Sequence, residues 1–427
     1  KKYEYIEKVI QEVLFYKDRK AASTDRIDKV LTHPVWGVPV FLCIMALVFF
    51  LTFFVGDFLK GGLEYALGII SELVRAGMTG LHVADWMISL IVDGIIAGVG
   101  GILTFVPNIF ILFLALAILE DSGYMARVAY VMDGIMGKVG LSGRAFLPMV
   151  LGFGCTVPAI MATRALETEH DRRRTMIITP FMSCSARLPI YVLFSEMFFP
   201  QCAMVVAFSM YVIGMVMGIL VAMVQHKLEK GKINQSLMIE LPEYKRPNAR
   251  TIRTYVWNKL KDYLTKAGTT IFVASIIIWF ILNFGIHGMV SDPAESFGAA
   301  LGRILVPVLR PAGLGLWQIA VALISGISAK EVVVSSFSVL FGVSNVNSAA
   351  GMASIVQNIQ HFDPAFGGLN AFCLMLFCLL YVPCVATMAT IKKESGSWKF
   401  TGSIMLFQIG LAWLVSVLVF QIGSFFI

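Results

Sequence analysis

Charge is what this sequence has least of. Asp, Glu, Lys and Arg supply 14% of its 427 residues while 58% are hydrophobic, and the mean hydropathy is +0.79. So little charge cannot clothe a soluble domain, which leaves a polytopic membrane protein as the expected class. The phosphate-cradling GxxxxGK[ST] loop is missing, so the chain is not expected to bind a nucleotide. CxxC, HExxH and G-x-S-x-G are missing as well, which excludes several familiar enzymatic chemistries. The seven cysteines (43, 155, 184, 202, 373, 378 and 384) lie in or beside apolar runs and give no disulfide framework. The chain opens on Lys1 rather than methionine, which raises the expectation of a piece of a longer protein.

The charge that is present falls unevenly. An excess of +7 gathers in the N-terminal arm, at Arg172, Arg173 and Arg174, between Lys227 and Lys266, and at Lys392 and Lys393. Basic loops mark the cytoplasmic side of a membrane protein, so the N-terminus is expected inside, and no nucleic-acid partner is expected.

Residues 1 to 33 carry Ile6, Ile10, Leu14 and Phe15 at helix spacing and read as a cytoplasmic linker helix. Residues 34 to 225 form a first membrane half. The uncharged run from Gly37 to Gly56 is long enough to cross a bilayer, and 57 to 85 read as a separate helix on the outer surface. The glycines of GVGG at 98 to 101, with Pro107, predict a broken helix between Trp86 and Leu119. The stretch GFGCTVPAIMATR, from Gly152 to Arg164, sets Cys155 among glycines and Pro158. Arg144 and Arg164 lie too close in sequence for two crossings between them, so this stretch reads as a re-entrant hairpin. Pro180, Cys184, Arg187 and Pro189 then break the following span. These breaks fall together at about 140 to 200.

The basic stretch 226 to 263 reads as a linker to a second membrane half, 264 to 427. There an uncharged run crosses as far as Ser291, 292 to 317 and 342 to 368 read as outer loops, and Phe400 to Ile427 form a last span. Between these, VALISGISAKEVVVSSF at 321 to 337 and FCLLYVPCVATMATIKK at 377 to 393 repeat the order of those parts, at about 318 to 395. The whole reads as an all-α polytopic membrane protein. It has seven or eight transmembrane helices, with broken helices and re-entrant gate hairpins in two inverted repeats. That design places a substrate site near the bilayer midplane.

Cys155, Cys184 and Cys384 each sit beside a break. Backbone freed at a break must be buried in protein or line a cavity, so these thiols are candidate ligands for a soft or borderline metal. Met161 and Met182 could add thioethers, and Glu331, Glu120 and Asp93 are the candidate oxygen ligands. Arg187, Lys330 and Glu331 are charges inside apolar segments, costly unless paired or facing water. Arg187 is expected to pair with Glu120 or Asp121, and Lys330 with Glu331 or a half-helix C-terminus. His287 and His361 fall in outer loops and could meet an incoming metal. Cys43, Cys202, Cys373 and Cys378 read as packing groups.

Six segments carry a specific resemblance. They are TDRIDKVLTHPVWGVPVF at 24 to 41, DGIIAGVGGILTFVPNI at 93 to 109, ILEDSGYMARVAYVMD at 118 to 133, GLSGRAFLPMVLGFGCTVPAIMATR at 140 to 164, MSCSARLPIY at 182 to 191 and SAKEVVVSS at 328 to 336. With them the chain resembles the membrane region of the ferrous iron transport protein B family, FeoB. The resemblance implies Fe²⁺ as transported substrate, a gate around Cys155 and Cys184, and a second around Glu331 and Cys384. It further implies residence in a bacterial cytoplasmic membrane, an N-terminal GTP-binding domain in the same or a separate chain, a small cytosolic FeoA-like partner and a homo-oligomer. On this reading the chain is a transporter domain and not an enzyme. Two alternatives stay open: a nucleoside or organic-solute transporter of related gate architecture, and a membrane thiol oxidoreductase using Cys155 and Cys184.

Overall fold

The computed structural model describes residues 28–29, 31–33, 36–228, 244–286, 288–290, 293–343 and 348–426. The helix expected over residues 1 to 33 lies almost wholly outside the described residues, as do His287 and the side chain of Asp93.

Helix α1 (Gly37–Gly80) runs for 44 residues. At 1.5 Å per residue that is about 66 Å, twice the hydrocarbon thickness, so the surface helix expected at 57 to 85 is in fact the continuation of the first span. Gly56 does not end the helix. A Cβ there would lie 2.3 Å from Asn108 Oδ1, so the glycine serves close approach to the neighbouring helix.

After α2 (Asp85–Ser89), a π-helical turn at Leu90–Ile96 leads into α3 (Ala97–Asp121). The irregularity expected at the glycines and Pro107 thus falls earlier, and Pro107 stays inside α3. Gly123, at φ 83°, supplies the left-handed residue at which the chain turns by 83° into α4 (Tyr124–Lys138). Next, α5 (Phe146–Gly154) and α6 (Thr156–Ala162) pack on each other about Cys155, whose backbone is extended. Helix α7 (Glu169–Ile178) is followed by 3-10 turns at Thr179–Phe181 and Ser185–Arg187, which flank a non-helical stretch ending at Cys184. Then come α8 (Leu188–Phe198) and α9 (Ala203–Leu228).

The described part of the linker is helical rather than a loop: α10 (Ala249–Asp262) is capped by Asn248, whose side chain accepts from Arg250 N at 3.0 Å. Helix α11 (Gly268–Asn283) stops short of Ser291 at a small antiparallel hairpin that pairs Phe284 with Met289. Both expected outer loops contain helices. They are α12 (Phe297–Leu309), whose cap Ser296 Oγ accepts from Ala299 N at 3.1 Å, and α15 (Ala349–Phe362), whose cap Ser348 Oγ accepts from Gly351 N at 3.1 Å. Between them lie α13 (Trp317–Ser325) and α14 (Val332–Leu340). Helices α16 (Gly368–Leu380) and α17 (Val385–Ser395) follow, broken at Tyr381–Cys384, and α18 (Trp398–Gly423) ends the described fold.

Five helices among the described residues are long and apolar enough to cross a membrane, or seven if each bent pair is one span. Their burial separates centre from periphery. The broken spans Glu169–Phe198 and Gly368–Ser395 are 67% and 78% buried, against 24%, 28% and 22% for α1, α9 and α18. The physical reason is that carbonyls and N–H groups freed at a break find no partner in lipid, so broken helices must be wrapped by continuous ones. The halves also exchange partners: α6 of the first packs on α17 of the second, and α14 of the second on α8 of the first.

Candidate functional site

The breaks meet at one cavity of ≈110 Å³. In the first half, Ser185 Oγ donates to Gly154 O at 3.0 Å and ties one break to the other. In the second, Val385 N donates to Ile327 O at 2.8 Å. In each half the acceptor is followed by a small polar side chain, Cys155 after Gly154 and Ser328 after Ile327. Cys184 and Cys384 immediately precede the two donors. All four line the cavity.

Cys155, Cys184 and Cys384 each occupy the residue just ahead of a helical turn. There the first N–H groups of the turn have no partner inside it and the local field is positive. Cys384 Sγ and Thr387 Oγ1 share a hydrogen bond of 3.2 Å. Among the described residues, however, no three His, Cys, Asp or Glu side chains are gathered tightly enough to hold a metal ion as they stand.

Two buried basic side chains share the wall. Arg187 is 1% exposed and Lys330 2%, and both line the cavity. Arg187 does not pair with Glu120 or Asp121 as expected; its Nη1 donates to Pro180 O at 3.1 Å. Lys330 meets a half-helix terminus, as expected, because its Nζ donates at 2.5 Å to Val382 O, just beyond the end of α16. The same Nζ lies 3.2 Å from the Tyr381 ring centroid, a close cation–π contact.

The remaining candidates lie elsewhere. Glu120 is exposed at the end of α3, and Asp121 Oδ2 accepts from Asn248 N at 2.7 Å. The Asp121 carboxylate therefore holds the start of the linker helix. Met161 and Met182 are buried and absent from the wall. Met182 is threaded between Gly152 and Gly218, where an added Cβ would come within 2.8 and 2.6 Å of it. His361 is exposed beside Phe362. Cys373 and Cys378 are buried, and Cys43 and Cys202 are exposed. The wall also holds residues that sequence reasoning missed, notably Asn108, Tyr263, Ser328 and Thr387. An amide inside an apolar run was a usable signal for Asn108; Ser328 becomes visible only once the two halves are in register.

On the far side of α6, the Arg164 guanidinium and the Glu394 carboxylate form a two-pronged ion pair. It fastens the end of α6 to the last turn of α17 across the two halves.

Fold and site together define a polytopic helical membrane protein with two broken-helix gate regions around a shared, thiol-lined cavity. The chain is 42% identical to the Fe(2+) transporter FeoB of Staphylococcus aureus over 99% of its own length and 63% of the relative's. It is 36% identical to that of Campylobacter jejuni over 98% and 68%. The chain belongs to the ferrous iron transport protein B (FeoB) family. A family profile described as nucleoside recognition, named Gate, matches residues 102–198 and 264–398. A second, described as the C terminus of ferrous iron transport protein B, matches 207–259. The FeoB of Methanocaldococcus jannaschii is 38% identical over 99% of the chain. The chain thus spans about 63% of the length of the S. aureus relative. No solved structure matches.

Proposed function

We propose that this chain carries Fe²⁺ across a bacterial cytoplasmic membrane through the cavity between its two gates. Cys155, Cys184 and Cys384 are the sulfur ligands on this reading, with Glu331 entering from beside the wall. The observation that carries it is the convergence of three cysteines, each from a different break, on one cavity. Thiolates suit a borderline cation, and their protons must leave as the metal arrives. Because the thiols are not gathered into a closed site, binding must draw the breaks together. A site that assembles only on binding stays weak enough to release its ion, which conduction requires. The exchange of partners between α6, α17, α8 and α14 supports an inverted repeat, with the cavity at its centre.

A GTP-binding domain, in the same chain or another, would drive transport through the N-terminal junction. There Arg127 Nε donates to Asp28 Oδ1 at 3.0 Å and Arg127 Nη2 to Asp28 Oδ2 at 3.3 Å. The Tyr244 hydroxyl donates to Asp28 Oδ1 at 2.8 Å, and the Tyr244 ring lies 3.9 Å from the guanidinium. One cluster thus joins the N-terminal arm, α4 and the linker between the halves. A FeoA-like partner is supported by the Porphyromonas gingivalis relative, 37% identical over 96% of the chain and named an Fe(2+) transport protein A/FeoB fusion.

The test is Fe²⁺ uptake into proteoliposomes, with and without a supplied GTP-binding domain. Uptake is expected from the parent chain and not from Cys155→Ser or Cys184→Ser. Variants that match the parent rate would show that sulfur does not meet the ion.

A further inference from the structure

We infer that the gate cavity is also a binding site for a small inorganic anion of the halide class, held by Arg187 and Lys330. The inference does not rest on iron transport.

Its starting point is the charge on the wall. Arg187 and Lys330 both line the cavity and are almost wholly buried, and no Asp or Glu stands among the described lining residues. The nearest acid in electrostatic reach, Glu331, acts on Cys155 and Tyr263 from beyond the wall. An arginine cannot shed its charge to escape burial. Its guanidinium is also incompletely used: Nη1 donates to Pro180 O, whereas Nε has no acceptor among the described residues. A buried donor without an acceptor is uncommon enough to call for a partner.

The backbone adds to the same field. Helix α8, through its lead-in turn Ser185–Arg187, and helix α17 both begin at the cavity, and each has 11 residues. Helix N-termini favour negative charge. Thr387 and Asn108 line the same space with a hydroxyl and an amide. A volume of ≈110 Å³ admits a halide with room for water.

The test uses the full chain in nanodiscs, metal-free, in gluconate buffer, with radiolabelled chloride measured by equilibrium dialysis. Saturable binding of one chloride per chain is expected, weakened at least tenfold in Arg187→Gln. Lys330→Gln, a second and independent variant, should weaken it as well. Gly402→Ala on the peripheral α18, where a Cβ meets nothing within 4 Å, should bind chloride like the parent. No saturable chloride binding by the parent would overturn the inference, as would parental affinity in folded Arg187→Gln or Lys330→Gln.

Discussion

The two gates share a backbone plan and differ in chemistry. Each joins its paired breaks by one hydrogen bond to a carbonyl, Ser185 to Gly154 in the first half and Val385 to Ile327 in the second. On that common frame the first half places two thiols, Cys155 and Cys184, and the second places one thiol and a hydroxyl, Cys384 and Ser328. The buried basic side chains are displaced as well. Arg187 follows the Cys184 break, whereas Lys330 follows Ser328 on the other kind of break. The frame is therefore set by where backbone must be freed and buried, while the thiols are distributed unequally across it, two in the first half against one in the second.

The largest effect should come from removing the two thiols of the first half. The Cys155→Ser/Cys184→Ser pair is expected to lower Fe²⁺ uptake by at least about a hundredfold, near 2.8 kcal/mol, in the proteoliposome assay. Ser328→Ala, in the second half, should stay within about twofold of the parent. Equal losses from the two would break the comparison, because the halves would then contribute alike.

A second effect tests the frame itself. A Cβ on Gly152 would lie 2.8 Å from Met182 Cβ, and one on Gly326 would lie 2.3 Å from Val333 Cγ2 and 2.5 Å from the Tyr381 hydroxyl. Gly152→Ala and Gly326→Ala should each cost about 1–3 kcal/mol through overpacking. Gly402→Ala on the peripheral α18, where a Cβ meets nothing within 4 Å, should not destabilise. Thermal unfolding in nanodiscs separates them, and a silent Gly326→Ala would mean that the second break is less constrained than the first.

These contrasts also show what the sequence could disclose. Glycine, proline and cysteine announce a break directly, because freed backbone has to be accommodated, and so Cys155, Cys184 and Cys384 were legible one by one. Helices α12 and α15 were not: they carry few charges, and α12 contains Pro307, so they pass for loops until the caps Ser296 and Ser348 are seen at work. The length of α1 was hidden because Gly56 imitates a terminus while serving a close helix contact. Convergence was the least legible property. Nothing in a linear string brings Asn108, Ser328 and Cys384 to one wall, and nothing removes Met182 from it, since a thioether in a core and one at a ligand position look alike.

A smaller effect is expected where the halves are clamped. Glu394→Gln removes the charge facing Arg164, which is itself 42% exposed along its side chain, so solvent screening limits the loss to about 1–2 kcal/mol. The reversed pair Arg164→Glu/Glu394→Arg should recover part of it in the same unfolding assay. No recovery would mean that packing of α6 on α17, and not the ion pair, joins the gates at this end.

The smallest effect lies at the junction that links both halves to the N-terminal arm. Tyr244→Phe removes one hydrogen bond to Asp28 and should cost about 0.5–1.5 kcal/mol. Burial, and then the Asp28 carboxylate, push the Tyr244 phenol above its ordinary value. A group raised on folding stabilises below its unfolded pKa, about 10 for tyrosine, and loses that contribution as pH climbs through the higher folded value. The gap between parent and Tyr244→Phe should therefore be constant from about pH 6 to 9 and close above about pH 10. A gap that closes between pH 6 and 8 would implicate a different group, and Tyr244 would then be a packing contact and not the bond that ties the linker to Asp28.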